Sequence, residues 1–127
     1  MNIAFTDEMR LAGESLVSEL DKRNFLVKAA LWLVEADRHG WRLIIARPNV
    51  HKEGPLKQYK VVQQALAKIR GPLALATILV RDVKDPLIKD LAATIGAGKR
   101  VSGTRCSQIA IEGHYVEDAY IYRLAAK

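Results

Sequence analysis

The feature that most constrains the fold is residues 25–47, a long apolar run interrupted near its middle by a short polar stretch. The first part of the run is apolar on both sides of an extended chain: Phe25, Val27, Ala29, Leu31 and Leu33 alternate with Leu26, Ala30, Trp32 and Val34. A strand that is apolar on both faces must be covered on both, so it belongs inside a sheet with helices packed around it. Residues 36–40 form the predicted hairpin loop, with Gly40 near its end, and residues 41–47 form the partner strand.

Three helices are predicted around this hairpin. The first spans residues 6–23, because Thr6 is a good N-cap and apolar residues then recur at helical spacing. The second spans residues 55–70 and has a predicted apolar face of Leu56, Tyr59, Val62, Leu66 and Ile69. The third begins after the Asp85-Pro86 cap and ends at Gly96, with Leu87, Ile88, Leu91 and Ile95 on its buried side.

Three further strands are predicted at residues 73–81, 105–111 and 115–124, the last two joined by a turn at residues 112–114. The order αββαβαββ predicts a single domain, residues 1–127, with a mixed five-stranded sheet. The class is α/β, or α+β if helices cover only one face. Right-handed crossovers predict that the third and fourth strands run parallel to their predecessors if they share one sheet.

Composition restricts the class of protein. No apolar run approaches the roughly 20 residues that a membrane span requires, and residues 1–10 lack the pattern of a signal peptide. Cys106 is the single cysteine and has no partner for an internal disulfide, so a reducing, cytoplasmic location is expected. The closing run Glu-Asp-Ala-Tyr-Ile-Tyr-Arg-Leu is typical of a small bacterial domain and carries no activity of its own.

The net charge of +6 is concentrated in the middle of the chain. Residues 1–37 contain four basic and seven acidic side chains, whereas residues 38–105 contain fourteen basic and four acidic ones. A positive segment of this size attracts polyanions, nucleic acid above all. The predicted contacts are Lys57, Lys60, Lys68, Arg70, Lys99, Arg100 and Arg105. The alternative is that these charges only keep the protein soluble.

A second hypothesis is an assembly module, either a homo-oligomer or a subunit of a larger complex. Tyr120 and Tyr122 point the same way in the last predicted strand. If that strand lies at an open edge of the sheet, it would pair with another chain and bury these rings in a dimer.

A third hypothesis is a metal-dependent nuclease. Asp82-Val83-Lys84 follows an apolar strand and resembles the acidic-x-lysine element of nucleases of the restriction-endonuclease type. The resemblance implies a second carboxylate that shares Mg²⁺ with Asp82, and the candidates are Glu35 and Asp37. With His39, these two carboxylates alternate at the hairpin tip, which is also what an ordinary exposed turn looks like.

Two other patterns argue against nucleotide binding by a P-loop and against cysteine catalysis. The run Gly96-Ala97-Gly98-Lys99-Arg100 lacks the earlier glycine and the Ser or Thr of a nucleotide P-loop, and it follows a helix instead of preceding one. Cys106 and His114 are a weak pair for nucleophile and base, because a lone cysteine among strand residues is usually a small buried side chain. No metal or other cofactor is expected, and the favoured reading is a non-catalytic binding domain.

Overall fold

The structure, a computed structural model, describes residues 4–35, 40–69, 73–95, 103–111 and 114–124, including all their side chains except those of Glu35, Ile111 and His114. In chain order the elements are α1 (Asp7–Lys22), β1 (Ala29–Glu35), β2 (Arg42–Arg47), α2 (Val50–Glu53), α3 (Pro55–Leu66), a 3₁₀ helix (Leu75–Thr77), β3 (Ile78–Asp82), α4 (Pro86–Ile95), β4 (Thr104–Ile111) and β5 (His114–Leu124). The helix α1 begins as predicted, because Thr6 Oγ1 accepts a hydrogen bond from the Met9 N–H at 3.2 Å.

The five strands form one mixed sheet in the order β3-β2-β1-β5-β4. β2 and β3 are parallel, and the pairs β1–β2, β1–β5 and β4–β5 are antiparallel. The hairpin of β1 and β2 therefore lies inside the sheet, as its double-sided apolar pattern predicts.

Helices cover both faces of this sheet. On one face, Ala30, Trp32 and Val34 pack with residues of α1, α2 and α3; on the other, Ala29, Leu31 and Leu33 pack with α4. Each large side chain buried in these two cores contributes roughly 1.5–3 kcal/mol to folding. The three-layer arrangement confirms the α/β class and excludes the α+β alternative.

The predicted alternation of apolar side chains between the two faces of the sheet fails before β1 begins. Phe25 and Val27 belong to the same core as Ala30 and Trp32, not to that of Ala29, and Leu26 is half exposed. The reason is that residues 25–28 are not a strand: Asn24 adopts a φ of 57°, and the Phe25 N–H closes the end of α1 by bonding the Leu20 carbonyl. The chain enters the sheet only at Ala29, so the alternation of buried residues before Ala29 does not continue into β1.

The second predicted helix differs from the observed one in extent and in its buried face. A separate short helix, α2, lies between β2 and α3, and α3 ends at Leu66. The residues of α3 that are buried are Gln58, Val62 and Ala65, whereas Leu56 is 84 % exposed. The prediction that Leu56 faces the core is wrong, because a hydrogen-bonded glutamine takes the core-facing position at the start of the helix.

The sheet order tests two predictions: the direction of the strands that follow a helix, and the edge position of the last strand. β3 runs parallel to β2, as predicted, but β4 runs antiparallel to β3. The preference for parallel crossovers does not apply here, because the connection through α4 carries the chain from one edge to the opposite edge, where β4 pairs only with the antiparallel β5. β5 therefore lies between β1 and β4, so the premise that it forms an open edge is wrong.

A side chain of α3 protects the edge strand β3. The Val83 N–H bonds the Arg47 carbonyl of β2, so the Val80 N–H, three residues earlier, faces away from β2. The Tyr59 hydroxyl accepts a hydrogen bond from this Val80 N–H at 3.0 Å. An edge strand with a bonded N–H is a poorer template for pairing with another chain.

We expect Tyr59→Phe to lower the free energy of unfolding by about 1–2 kcal/mol, because a nearly buried N–H loses its acceptor. Urea denaturation measures the loss, and hydrogen exchange should show faster exchange at the Val80 amide. Tyr115→Phe is the matched control, since Tyr115 is exposed and its hydroxyl has no hydrogen bond within the described residues. Equal stability of the Tyr59→Phe and control variants would contradict the assigned role of the hydroxyl.

Candidate functional site

A cluster of polar side chains, of which Arg47, Gln58 and Asp82 are buried, lies at the carboxyl end of the parallel pair β2–β3. Arg47 ends β2, is 8 % exposed, and lies with its guanidinium 4.0 Å above the centre of the Phe25 ring. Its Nη1 donates to Glu53 Oε1 at 2.8 Å and to Gln58 Oε1 at 2.5 Å, and Gln58 Nε2 donates to the same Glu53 oxygen at 2.8 Å. This closed triangle joins β2, α2 and α3.

The triangle holds Glu53 in its ionised form. Hydrogen bonds from Gln58 and then from Arg47 lower the pKa of the Glu53 carboxyl below its usual value. No pattern of apolar residues predicts this triangle, because its members are polar residues that a hydropathy profile places on the surface. The nearest sequence signal is the spacing of Gln58 with the buried Val62 and Ala65.

Asp82, which ends β3 beside Arg47, binds two backbone groups. Its Oδ2 accepts from the Val50 N–H at 3.1 Å and its Oδ1 accepts from the Lys84 N–H at 3.0 Å. These bonds, with that of Lys84 the larger influence, lower the pKa of the Asp82 carboxyl. Asp82 therefore links the start of α2 to the turn after β3.

Asp85 acts as the predicted cap of α4. Its Oδ1 accepts from the Leu87 N–H at 2.9 Å, and its Oδ2 lies 3.3 Å from Arg81 Nη1 in an ion pair. Both carboxylates near the end of β3 are thus engaged with donors of the protein itself.

Between α2 and the turn after β3 lies a cleft of about 450 Å³. It is lined by Val50, His51, Pro55, Val80, Arg81, Asp82, Lys84, Asp85 and Pro86. Within the described residues, neither the His51 imidazole nor the Lys84 ammonium has a hydrogen bond or a salt bridge. The cleft therefore combines two engaged carboxylates with two cation-forming groups that have no bonded partner there.

Among the described residues, most of the positive charge outside ion pairs is carried by lysines. Six of the seven arginines with described side chains form ion pairs with a carboxylate: Arg10, Arg23, Arg47, Arg81, Arg105 and Arg123. The described lysines have no salt bridge among the residues that the structure covers. Lys52, Lys57, Lys60 and Lys68 are all exposed, and Glu53 is the single acidic residue in that stretch of sequence.

The structure brings together only part of the predicted basic surface. Lys57 and Lys60 are exposed on α3, whereas Lys68 lines a groove that also contains Glu14 and Glu19 of α1. Arg105 lies on β4, at the edge of the sheet opposite β3, and makes a bidentate ion pair with Asp118 at 2.6 and 2.7 Å. Arg70, Lys99 and Arg100 lie outside the described residues.

The nuclease hypothesis requires Asp82 and Lys84 to share one face of a strand, and the structure does not place them so. β3 ends at Asp82, so Lys84 lies in the following turn and does not share a strand face with that carboxylate. In the described part of the chain, no group of three or more His, Cys, Asp and Glu side chains is placed to hold a metal ion. Asp37, His39 and the side chain of Glu35 lie outside the described residues.

The rings proposed for assembly take part in the core instead. Tyr122 accepts a hydrogen bond from Trp32 Nε1 at 2.9 Å and donates one to the Arg10 carbonyl at 2.6 Å. Burial raises the pKa of the Tyr122 hydroxyl. Tyr120 stacks on Phe5 with ring centres 5.1 Å apart. These contacts, together with the interior position of β5, leave the predicted dimer through these rings without support.

Cys106 has the environment of an unreactive thiol. It is half buried on β4, and burial, followed by the negative charge of Asp118, raises its pKa. A thiol that is harder to ionise is a poorer nucleophile. The side chain of His114, its proposed base, lies outside the described residues.

Comparison with protein-family models, with curated proteins and with solved structures gives no match to this chain. Among the described residues, no helix has the length and apolar character that crossing a bilayer demands. The functional interpretation therefore rests on the site itself.

Proposed function

We propose that the protein is a non-catalytic domain that binds a polyanion through the exposed lysines of α2 and α3. The polyanion that we favour is nucleic acid. The observation that carries the proposal is the contrast between the two kinds of cation. Six of the seven arginines with described side chains are held by carboxylates of the protein itself, whereas Lys52, Lys57 and Lys60 have no salt bridge among the described residues. Lysines that are not held in an internal salt bridge are available to neutralise phosphates.

The geometry of α3 supports this use of the lysines. Lys57 and Lys60 are three residues apart on one helix, so their Cβ atoms are about 5–6 Å apart and both side chains reach the same surface. Gln58, between them, is 1 % exposed and anchors the helix through Arg47 and Glu53. A rigid helix that presents neighbouring lysines contacts a phosphate backbone without reading its sequence.

A reducing compartment such as the cytoplasm is part of the same proposal, because the single cysteine carries a free thiol. In that compartment nucleic acid is an abundant polyanion. The proposal requires neither a metal nor another cofactor.

The test is fluorescence anisotropy with a labelled oligonucleotide at several salt concentrations. We expect the unmodified protein to bind at low salt, with an affinity that falls steeply as salt rises. Lys57→Glu/Lys60→Glu should weaken binding at least about tenfold and reduce the salt slope by about 2, because each lost phosphate contact reduces the slope by about 1.

The matched control is Lys22→Glu/Lys89→Glu, which changes the net charge equally at exposed lysines of α1 and α4. This variant should retain most of the affinity. Absence of binding by the unmodified protein at low salt, or equal loss in the two double variants, would contradict a surface on α3. Lys68→Glu, measured alone, tests whether the binding surface extends beyond the end of α3 at Leu66.

A further inference from the structure

The cleft between α2 and the turn after β3 lies in the part of the sheet where α/β proteins place their ligands. β2 and β3 are the parallel pair, and both of their carboxyl ends point to this side. In open α/β sheets, ligands bind outside the carboxyl ends of strands. The volume of about 450 Å³ also lies within the roughly 300–1,000 Å³ of small-molecule sites.

The charges that line the cleft fall into two classes. Asp82 is bonded to two backbone N–H groups, and Asp85 is bonded to one backbone N–H and paired with Arg81. The side chains of Lys84 and His51 act on Asp82 only through their charge and have no hydrogen bond or salt bridge within the described part of the chain. The groups that remain to bind a ligand are therefore nitrogen donors, which suit an anion with several acceptor oxygens.

The remaining walls of the cleft are apolar: Val50, Pro55, Val80 and Pro86. Such walls contact a sugar or a base without specific hydrogen bonds, so they suit a ligand of variable sequence. Lys52 follows His51 in α2, and Lys57 lies two residues after Pro55 in α3. The cleft thus adjoins the segments that carry Lys52 and Lys57, two of the lysines proposed above for the phosphate backbone.

We propose that this cleft binds the phosphorylated end of a nucleic acid strand, with the terminal phosphate monoester contacting Lys84 and His51. The inference rests on the proposed function and adds an end-specific site to it. A terminal phosphate monoester carries more negative charge than an internal diester, so it gains more from a lysine ammonium and an imidazole donor in one cleft. Free nucleoside monophosphates offer the same chemistry and are the other source of this ligand.

The experiment compares oligonucleotides of one sequence that carry a 5′ phosphate, a 3′ phosphate or hydroxyls at both ends. We expect one of the phosphorylated forms to bind about tenfold more tightly than the hydroxyl form. Lys84→Gln and His51→Gln should each reduce this ratio toward one, whereas Lys89→Gln, at an exposed lysine of α4 outside the cleft lining, should preserve it. Equal affinity of all three oligonucleotides for the unmodified protein overturns the inference but leaves the proposed function standing.

A ratio that survives both cleft substitutions also overturns the inference, because the phosphate is then bound elsewhere. If no oligonucleotide binds, the proposed function fails, and NMR titration with a nucleoside monophosphate decides the inference separately. Shifts at His51 and Lys84 that a nucleoside without phosphate does not produce would support a site for free nucleotides, and their absence would overturn it.

Discussion

Gly13→Ala is expected to lower the free energy of unfolding by about 1–3 kcal/mol, although the same change inside an exposed helix stabilises a protein by up to about 1 kcal/mol. Gly13 is buried in α1. A Cβ at this position would lie 2.7 Å from Trp32 Nε1 and 2.9 Å from Tyr122 Cζ, and closer still to the Tyr122 hydroxyl. The gain in helix propensity is therefore smaller than the cost of overpacking.

The overpacking acts on a hydrogen-bond chain that crosses the core. Trp32 Nε1 donates to the Tyr122 hydroxyl, which donates to the Arg10 carbonyl of α1. A methyl group at Gly13 must displace this hydroxyl or move α1 away from the sheet. In both cases a buried polar group loses a partner.

Urea denaturation of four proteins tests this explanation: the unmodified chain, Gly13→Ala, Tyr122→Phe and the double variant. Because Tyr122→Phe removes the nearest atom, Gly13→Ala should cost at least about 0.5 kcal/mol less in that background. Ser15→Ala, on the exposed side of α1, is the control and should be nearly neutral. A stabilising Gly13→Ala would show that the ring and the helix move apart at little cost.

Asp82→Ala is expected to lower the free energy of unfolding by about 2 kcal/mol without affecting any metal-dependent activity. The carboxylate is 8 % exposed and accepts the N–H groups of Val50 and Lys84, so its removal leaves a buried donor of α2 unpaired. Asp90→Ala is the matched control, because the Asp90 carboxylate has no hydrogen bond or salt bridge among the described residues. Mg²⁺-dependent cleavage that disappears with Asp82 while folding persists would instead restore the nuclease hypothesis.

The effect of Asp82 on stability should depend on pH. Its folded-state pKa is lowered, so the carboxylate stabilises the protein above the unfolded value of about 3.9, and the contribution is lost as pH falls through the folded pKa. The stability difference between the unmodified protein and Asp82→Asn should therefore be constant at neutral pH and shrink below about pH 4. A difference that stays constant down to about pH 2 would contradict the lowered pKa.

The sequence alone determined the layered architecture. The double-sided apolar pattern of residues 29–34 requires cover on both faces, and α1, α3 and α4 provide it. The caps Thr6 and Asp85 were predictable as well, because a cap bonds the backbone only two or three residues away. Such features depend on neighbours in sequence, which a pattern reveals directly.

Strand order and the candidate site were decided only by the tertiary structure. The interior position of β5 follows from its pairing with β1, about ninety residues away in sequence, and no local pattern encodes that distance. Likewise, Asp82 is brought to Val50, and Arg47 to Gln58, by the parallel pairing of β2 with β3 and by the packing of α3. The buried face of α3 depended on that packing too. Hydrogen bonds to Arg47 and Glu53 make the burial of Gln58 favourable, whereas hydrophobicity alone predicted that Leu56 would face the core.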